Sequence, residues 1–459
     1  MMILPTIINV SESAIRAVPE NYYEGSLALG ATQEASIFRV ILPAAKSGIM
    51  AGIILGVGRA IGETMAVIMV AGNQPIIPGS ITDGVRTMTA NIVMEMGYAT
   101  GLHREALIAT GVVLFVFILI INLSFSIFKN RKDRVYDMSE PEEKVIHLDN
   151  ITKISEDIEQ NKQEVDVCKI EQINKMKLKD RIKAYKKTPG SLALFLVTVM
   201  AASITLFIVG YLIIHILVNG VPYLTSELFS WNYTSDNCSV VPSIINTLYM
   251  TGLALLIAVP FGIFSAIYLV EYAKKDNKIV RVIRITTETL TGIPSIIYGL
   301  FGMLFFVTTL KWSFSLLAGA FTLAIMILPV IIRTTEEALL VVPDSYREGS
   351  FGLGAGKLRT VFKIVLPSAI PGILSGIILA VGRIVGETAA LIYTAGTVTA
   401  ISDGLFSSGR TLAVHMYLLS SEGLHINQAY ATAVVLLIVV MIINAISSLI
   451  AKRISKNAN

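Results

Sequence analysis

Charged side chains are scarce in this sequence. Asp, Glu, Lys and Arg make up 15% of its 459 residues, whereas apolar residues make up 54%. Soluble globular domains usually carry about 25% charged and about 45–50% apolar residues. This shortage of charge excludes most soluble enzymes, and a net charge of only +4 gives no indication of a nucleic-acid partner.

Cysteine and histidine are also too few to define a site. The two cysteines, Cys168 and Cys238, cannot build a disulfide framework. Four of the five histidines, His103, His215, His415 and His425, share no metal-ligand spacing, so we expect neither a metal nor a cofactor. Met1 opens directly into an apolar stretch without a basic segment or a cleavage signature, so no removable signal peptide is predicted.

Long apolar runs are abundant. Residues 192–217 and 290–310 contain no Asp, Glu, Lys or Arg, and about 20 such residues cross a bilayer as a helix. The sequence therefore predicts an all-α, polytopic transmembrane helical bundle. Residues 1–8 form a stub that is too short to cross, and eight spans are predicted near 45–71, 106–128, 192–217, 243–270, 290–310, 313–332, 370–395 and 429–450.

Basic residues are distributed unequally over the loops between these spans. Segments 271–288 and 333–363 each contain five Lys or Arg, whereas 219–240 contains none and 397–428 contains only Arg410. Because cytoplasmic loops are enriched in Lys and Arg, the first two segments are predicted inside and the last two outside. The C-terminal tail is then predicted to be cytoplasmic, and the two cysteines lie on opposite sides.

The chain contains an internal repeat. Residues 1–73 align without a gap to residues 325–397, and 37 of the 73 pairs are identical. The predicted topology gives both copies the same orientation, which makes them parallel pseudo-repeats about an axis along the membrane normal. Residues 190–324 have no counterpart in the first copy, from which we expect either a truncated or mis-started chain or a separate polypeptide that supplies the missing spans.

The repeat suggests three domains. Residues 1–128 are predicted to be an incomplete first module, with the stub and two spans, and residues 190–459 a complete six-span second module. Residues 129–189 hold 15 basic and 13 acidic residues in 61 positions and are predicted to be a solvated cytoplasmic linker.

One loop motif occurs in both copies. Glu24-Gly25-Ser26 is followed by Gly30 and by Leu42-Pro43, and Glu348-Gly349-Ser350 is followed at the same spacing by Gly354 and Leu366-Pro367. Physically, the spacing predicts two short helices that meet at the glycine, where chain reversal favours positive φ. The motif resembles the EAA loop of ABC-importer permeases, with Gly-Ser in place of Ala-Ala.

That resemblance implies that Glu24, Gly25, Gly30, Pro43, Glu348, Gly349, Gly354 and Pro367 contact a separate ABC ATPase subunit. The chain itself contains no Gly-x4-Gly-Lys-[Ser/Thr] motif. The glycine-rich run at 352–357 is not a nucleotide site, because Leu358 follows the lysine and no strand precedes the run.

Two pairs of opposite charges lie within predicted spans. Arg59 and Glu63 are four residues apart, as are Arg383 and Glu387, which predicts a shared helix face in each copy. A charge at bilayer depth costs ~2.5–3.5 kcal/mol on insertion scales, so such residues usually face the bundle interior or a water-filled cavity. Each pair is either an intrahelical ion pair that merely tolerates burial or part of the lining of a pathway. In a pathway, the arginine would suit a tetrahedral oxyanion, and Thr64 and Thr388 would add hydroxyl groups.

A further interruption lies at Thr291-Gly292-Ile293-Pro294-Ser295, which opens the predicted span 290–310. Proline and glycine free backbone groups in a membrane helix. The sequence leaves two readings open, a kink for packing or a break that lines a pathway and presents the Ser295 hydroxyl.

Together, the run at 292–302, the paired loops and the Gly-Arg-x-x-Gly-Glu-Thr spans resemble the permease subunits of phosphate-specific ABC importers. The chain is similar to a fusion of the two permeases with the beginning of the first one lost. The resemblance implies a non-enzymatic permease of the cytoplasmic membrane, which imports phosphate by alternating access and requires no cofactor. Arg59, Glu63, Arg383 and Glu387 match the family's phosphate-passage motif.

The implied partners are two ATPase subunits, an extracytoplasmic phosphate-binding protein and the lipid bilayer. Two alternatives to phosphate import remain from the residues alone. One is a permease for sulfate, molybdate or tungstate, and the other is an ATP-independent channel or secondary carrier.

Overall fold

The computed structural model describes residues 3–137, 189–274 and 277–458. Most of the predicted charged linker, together with Cys168, lies outside these ranges. The described residues are mainly helical and contain no strand, only an isolated bridge between Gly72 and Val85. The α-helices are α1 Leu4–Arg16, α2 Glu20–Ala28, α3 Gln33–Ser36, α4 Leu42–Ala44, α5 Lys46–Gly62, α6 Met65–Val70, α7 Met88–Glu95, α8 Gly101–Asp137, α9 Pro189–Gly220, α10 Val241–Ile267, α11 Lys278–Leu290, α12 Ser295–Gly302, α13 Leu316–Leu340, α14 Asp344–Gly352, α15 Lys357–Thr360, α16 Leu366–Val385, α17 Ala389–Ile392, α18 Leu412–Glu422 and α19 Ile426–Ala458.

Membrane-spanning helices dominate this architecture. Within the described ranges, six helices are long and apolar enough to cross a bilayer, and a seventh is obtained if Gln33–Ala44 and Lys46–Gly62, bent by 71°, count as one. These seven correspond to seven of the eight predicted spans. The six are Gly101–Ile121, Gly190–Tyr223, Val241–Tyr272, Leu316–Leu340, Lys357–Val385 and Ile426–Leu449.

The eighth prediction, a continuous span over 290–310, is wrong. Helix α11 ends at Leu290, and α12 begins at Ser295 and continues in π-helical form to Thr309, which gives a short apolar helix of 15 residues. Pro294 adopts an extended conformation, with φ −58° and ψ 142°. Since proline lacks an amide hydrogen and restricts the preceding residue, the helix stops before it and restarts after it.

The chain divides into two compact units. The larger comprises Met1–Ile3, Ile54–Ser124 and Leu212–Asn459, and the smaller comprises Leu4–Ile53 and Phe125–Tyr211. Neither unit coincides with one copy of the repeat, because the C-terminal part of the first copy belongs to the larger unit.

The core of the larger unit is built around α13. Fully buried Leu323, Met326 and Ile327 of this helix form a cluster with Met250 and Ala254 of α10. Small residues bring neighbouring backbones close together: a Cβ atom placed on Gly299 of α12 would lie 2.9 Å from the Cα atom of Ala390. Close backbone approach through small residues is the usual way in which helices associate in lipid.

The smaller unit is held by a similar contact. A Cβ atom on Gly52 of α5 would lie 3.1 Å from Val10 Cβ of α1, and one on Gly48 would collide with Ala14. The Ser191 hydroxyl at the start of α9 donates a hydrogen bond to the Glu34 carboxylate. The Thr32 hydroxyl in turn donates a hydrogen bond to the Ser191 hydroxyl at 3.3 Å.

The contact at Gly299 makes a stability prediction. Gly299→Ala is expected to destabilise the chain by about 1–3 kcal/mol, because the added methyl group meets backbone atoms of α17 that cannot rotate away. The matched control is Gly252→Ala in α10, where a Cβ atom would meet nothing within 4 Å. Thermal unfolding of the purified chain in detergent should show a lower melting temperature for the first variant and an unchanged or higher one for the control. Equal melting temperatures would contradict this packing.

Candidate functional site

The helix that carries each predicted Arg-Glu pair breaks inside the Gly-Arg-x-x-Gly-Glu-Thr motif. Helix α5 ends at Gly62 and α16 ends at Val385, so Glu63 and Glu387 lie beyond the helix that carries their arginine. Thr64 and Thr388 then turn the chain with similar dihedral angles, φ −115° and ψ −58° against φ −127° and ψ −57°. The prediction that each pair occupies one helix face is therefore wrong.

Each glutamate instead caps the short helix that follows the break. The Glu63 Oε1 atom accepts the amide hydrogen of Ala66 at 3.2 Å, and Glu387 Oε1 accepts those of Thr388 and Ala390 at 3.1 and 3.2 Å. The first amides of a helix have no partner within it, and a carboxylate satisfies them with favourable charge. The two carboxylates are thus fixed in equivalent positions by their own backbone.

The structure brings the predicted residues of both copies together in the larger unit. Electrostatic interactions connect the half-buried Arg383 to Glu387, to Tyr298 and to Arg59 of the first copy. The Glu387 side chain is 9% exposed and also interacts with the Ser295 hydroxyl. Arg59, Arg383, Glu387 and Ser295 therefore share one neighbourhood, whereas the Arg59 side chain itself is exposed.

The remaining predicted residues flank this neighbourhood. Thr64 and Thr388 are buried, and the Thr64 hydroxyl donates a hydrogen bond to the Gly62 carbonyl oxygen at 3.2 Å. The Glu63 carbonyl oxygen accepts a hydrogen bond from Thr89 at 3.2 Å. These bonds hold the turn after the break in place in the first copy.

The break before Ser295 lies against the break in α5. A Cβ atom on Gly62 would lie 3.0 Å from Pro294 Cα, so the two interruptions pack directly on each other. Tyr298, one turn after Ser295, donates a hydrogen bond to the Leu290 carbonyl oxygen at 2.8 Å and thereby links α12 back to the end of α11. Tyr298 was not predicted as a site residue, and nothing in an apolar run with one tyrosine indicates that role.

The two loops with the repeated motif have the predicted form. Helix α2 leads to Gly30 with φ +83°, and α14 leads to Gly354 with φ +82°. The residue before each glycine, Leu29 or Leu353, is an apolar side chain exposed to 91% or 92%. Glu24, Gly25 and Pro43 are also exposed, as are Glu348 and Gly349, while Pro367 is half-buried.

A single π-helical turn precedes the Leu-Pro pair in both copies. The turns are Ile37–Ile41 and Val361–Val365, and each leads directly into the helix that begins with Leu42 or Leu366. In the second copy the whole stretch Lys357–Val385 forms one long helix, whereas in the first copy the chain bends between Ala44 and Lys46.

The second loop is tied by a half-buried arginine to the π-helical turn Tyr268–Tyr272, which follows α10. Arg347 donates hydrogen bonds to Glu271 at 2.8 and 3.1 Å, and to the carbonyl oxygens of Leu339 and Val342 at 2.9 and 2.7 Å. The side chains of Arg347 and Glu271 are 15% and 9% exposed. This anchor was not predicted, and the only available signal was a basic residue directly before the motif in one copy.

These features describe a multi-pass helical membrane protein with duplicated, capped helix breaks. The sequence model of the family described as "Binding-protein-dependent transport system inner membrane component" matches residues 1–134 and 258–458. The chain belongs to this family. It is a permease component of a transport system rather than an enzyme.

Individual relatives agree with this assignment. The chain is 33% identical to the "Probable ABC transporter permease protein YqgI" of Bacillus subtilis over 295 residues, which cover 59% of this chain and 99% of that protein. It is 28% identical over 482 residues to the "Phosphate transport system permease protein PstA homolog" of Mycoplasma pneumoniae. This alignment covers 97% of this chain and 72% of that protein. It is 37% identical over 214 residues to the "Phosphate transport system permease protein PstA 1" of Mycobacterium tuberculosis (strain CDC 1551 / Oshkosh). This alignment covers 46% of this chain and 70% of that protein.

Solved structures give weaker likenesses. A bacterial alginate ABC transporter in complex with an alginate-loaded periplasmic protein matches with a TM-score of 0.47 and 16% identity, over 59% of this chain and 98% of that chain. The inward-facing MetNI methionine ABC transporter matches with a TM-score of 0.39 and 23% identity, over 47% of this chain and 95% of that chain. Scores this low say nothing about the site.

The Arg347 anchor makes a prediction about the loop. Arg347→Leu is expected to weaken the attachment of α14 by about 3–5 kcal/mol, because it leaves the Glu271 carboxylate buried without its partner. Hydrogen exchange of the α14 amides in the purified chain should accelerate accordingly.

The matched control is Arg333→Leu, whose ion pair with Glu337 joins side chains 31% and 59% exposed. Removal of an exposed pair costs at most about 1 kcal/mol. If both variants exchanged at the same rate as the unmodified chain, the anchor would have no role in holding the loop.

Proposed function

We propose that this chain is the membrane-spanning permease of an ATP-driven importer and moves inorganic phosphate across the cytoplasmic membrane. The observation that carries the proposal is the shared neighbourhood of Arg59, Arg383, Glu387 and Ser295 at the helix breaks. The phosphate-permease names of the Mycoplasma and Mycobacterium relatives support this choice of anion.

The chemistry of the neighbourhood suits an oxyanion. Guanidinium groups offer several hydrogen-bond donors in a plane, which match the oxygens of a tetrahedral anion. The Ser295 hydroxyl adds a donor, and Thr64 and Thr388 lie next to the capping glutamates. Because Glu63 and Glu387 remain close to the arginines, the anion would be held weakly enough to leave again, which a transport pathway requires.

The two exposed loops are the proposed docking sites for a separate ATPase. In each, an almost fully exposed leucine stands beside a glycine that reverses the chain, which gives a protruding apolar contact. Two ATPase subunits would close beneath these loops, and the movement would reach the helix breaks through α5 and α16. A binding protein would deliver phosphate from outside, so that the spans expose the site to each side in turn.

The proposed orientation follows the distribution of Lys and Arg over the loops. It places the loops around α2 and α14, the linker 129–189 and the C-terminus in the cytoplasm. The proposed domains are 1–128, an incomplete first permease module, and 190–459, a six-element second module in which the short apolar segment Ser295–Thr309 replaces one continuous span.

Transport should depend on the Arg383 guanidinium. Arg383→Gln is expected to lower phosphate uptake at least about tenfold, since a hydrogen bond from a charged donor contributes about 1.5–3 kcal/mol. Arg383→Lys, which keeps the charge, should retain part of the uptake. The measurement is ATP-dependent uptake into proteoliposomes that also contain the ATPase and the binding protein.

Arg333→Gln is the control for this experiment, because Arg333 forms its ion pair with the exposed Glu337 on the predicted cytoplasmic side. Competition with unlabelled sulfate, molybdate and tungstate identifies the anion. Undiminished uptake by Arg383→Gln would refute the proposed site, and stronger competition by sulfate or molybdate than by phosphate would refute the choice of phosphate.

Coupling should depend on the exposed leucines. Leu353→Ser is expected to reduce stimulation of ATP hydrolysis by loaded binding protein several-fold, because an apolar contact with the ATPase is lost. Leu102→Ser is the matched control: Leu102 is 82% exposed but lies on the first turn of α8, at the end of that span predicted on the opposite side of the membrane. Equal stimulation in both variants would exclude this loop as the ATPase contact.

A further inference from the structure

The two copies of the repeat treat one arginine differently. Arg86 and Arg410 are equivalent positions, separated by the 324-residue offset of the repeat. Arg86 donates hydrogen bonds to the Asn73 carbonyl oxygen at 3.0 Å, to Asn91 at 3.2 Å and to the Glu95 carboxylate. The first copy therefore neutralises this charge within the chain.

Arg410 has no such partner. Only 5% of its area is exposed, and its Nε and Nη2 atoms are buried without a hydrogen-bond partner among the described residues. The guanidinium carbon lies 4.5 Å from the centroid of the Tyr233 ring. The cause is visible in the sequence: nine positions after each arginine, the first copy has Glu95 and the second has Leu419.

More unpaired polar atoms lie at the start of α18, directly after Arg410 in the chain. Two of the other buried polar atoms without a partner in the described part of the chain are Thr411 Oγ1 and His415 Nδ1, on the first turn of α18 and its cap. In the first copy the equivalent Thr87 hydroxyl accepts the Ala90 amide hydrogen at 3.3 Å, whereas Thr411 makes no such bond. Because Arg410 directly precedes the Thr411 cap, the positive end of the α18 dipole adds to the positive charge of this segment.

His415 supplies a hydrogen-bond acceptor beside these donors. Its ring is fully buried and lies 6.0 Å from the Tyr233 ring, and its Nε2 atom is 3.2 Å from the Cys238 carbonyl oxygen. Burial and the neighbouring Arg410 lower the pKa of His415 to about 3, so the imidazole is neutral. A carbonyl oxygen can only accept, so Nε2 carries the proton and Nδ1 is left as an acceptor.

A buried positive charge without a counter-ion is strongly unfavourable, and buried polar atoms are nearly always paired with protein, water or an ion. Donors on Arg410 and Thr411, together with an acceptor on His415, suit an anion that also carries a proton. Sulfate carries none near neutral pH, whereas phosphate carries one or two. The near-complete burial of Arg410 favours a small inorganic ion over an inserted side chain of another protein.

We propose that Arg410, Thr411 and His415 form a second binding site, which takes a small protonated oxyanion on the side of the membrane where segments 219–240 and 397–428 are predicted to lie. With the proposed function, on which this identification of the ligand rests, the ion is phosphate that pauses between the binding protein and the helix breaks. The site is distinct from the neighbourhood of Arg59 and Arg383.

The test measures equilibrium binding of radiolabelled inorganic phosphate to the purified full chain in nanodiscs, without binding protein. The double variant Arg59→Gln, Arg383→Gln removes the first proposed site and should retain phosphate binding. Adding Arg410→Gln to that background should weaken the remaining binding about ten- to a hundredfold, as expected for loss of a charge-assisted contact. Sulfate should compete at least tenfold less well than phosphate for the binding that depends on Arg410.

A second pair of variants uses the repeat as its own control. Leu419→Glu places a carboxylate where the first copy has Glu95, and it should abolish phosphate binding at this site while it raises the melting temperature in the absence of phosphate. Leu419→Gln introduces a neutral side chain of the same shape as glutamate, and it should neither abolish phosphate binding nor raise the melting temperature. If Leu419→Glu does not fold, the Arg410→Gln measurement still decides the question.

Unchanged phosphate binding after Arg410→Gln would overturn the proposal and leave water as the partner of the guanidinium. If Arg410→Gln binds phosphate normally but needs more binding protein for half-maximal uptake, the proposal is also overturned, and Arg410 is instead a contact for the binding protein. Uptake and binding separate the two proposals: if Arg59→Gln, Arg383→Gln transports normally while binding still depends on Arg410, only the site at the helix breaks is refuted.

Discussion

The structure depends on one constraint, which is that a polar backbone group within an apolar bundle must find its partner inside the protein. A helix that is interrupted at bilayer depth exposes amides that lipid cannot satisfy. Here the interruption brings its own solution, because the glutamate that follows the break accepts the first amide hydrogens of the next helix. The break, the capping carboxylate and the preceding arginine thus form one unit, and the chain uses that unit twice.

This arrangement explains how the Glu387 carboxylate can be buried. The Glu387 carboxylate is stabilised by two backbone amides as well as by Arg383, so this carboxylate does not rely on the arginine alone.

The sequence was sufficient for the overall architecture but not for the local geometry of the site. Seven of the eight spans predicted from hydropathy are present among the described residues, with the bent pair counted as one, because each continuous span needs about 20 apolar residues. The repeat and the two glycines with positive φ followed directly from residue identity. The Arg-Glu geometry did not, since the four-residue spacing was interpreted on an unbroken helix although Gly62 and Gly386 stand between the two charges. The span over 290–310 failed for a related reason: its composition is apolar throughout, and only Pro294 signals that the backbone stops.

The π turns before Leu42-Pro43 and Leu366-Pro367 have a consequence for how this chain can change during evolution. Each residue of an α-helix advances the side-chain direction by about 100°, the angle that corresponds to 3.6 residues per turn. Insertion or deletion of one residue between the turn and the arginine would swing Arg59 or Arg383 by that angle, away from the neighbourhood that they share. Chain length in this stretch is therefore more constrained than side-chain identity, and the two copies have the same number of residues between the Leu-Pro pair and the arginine.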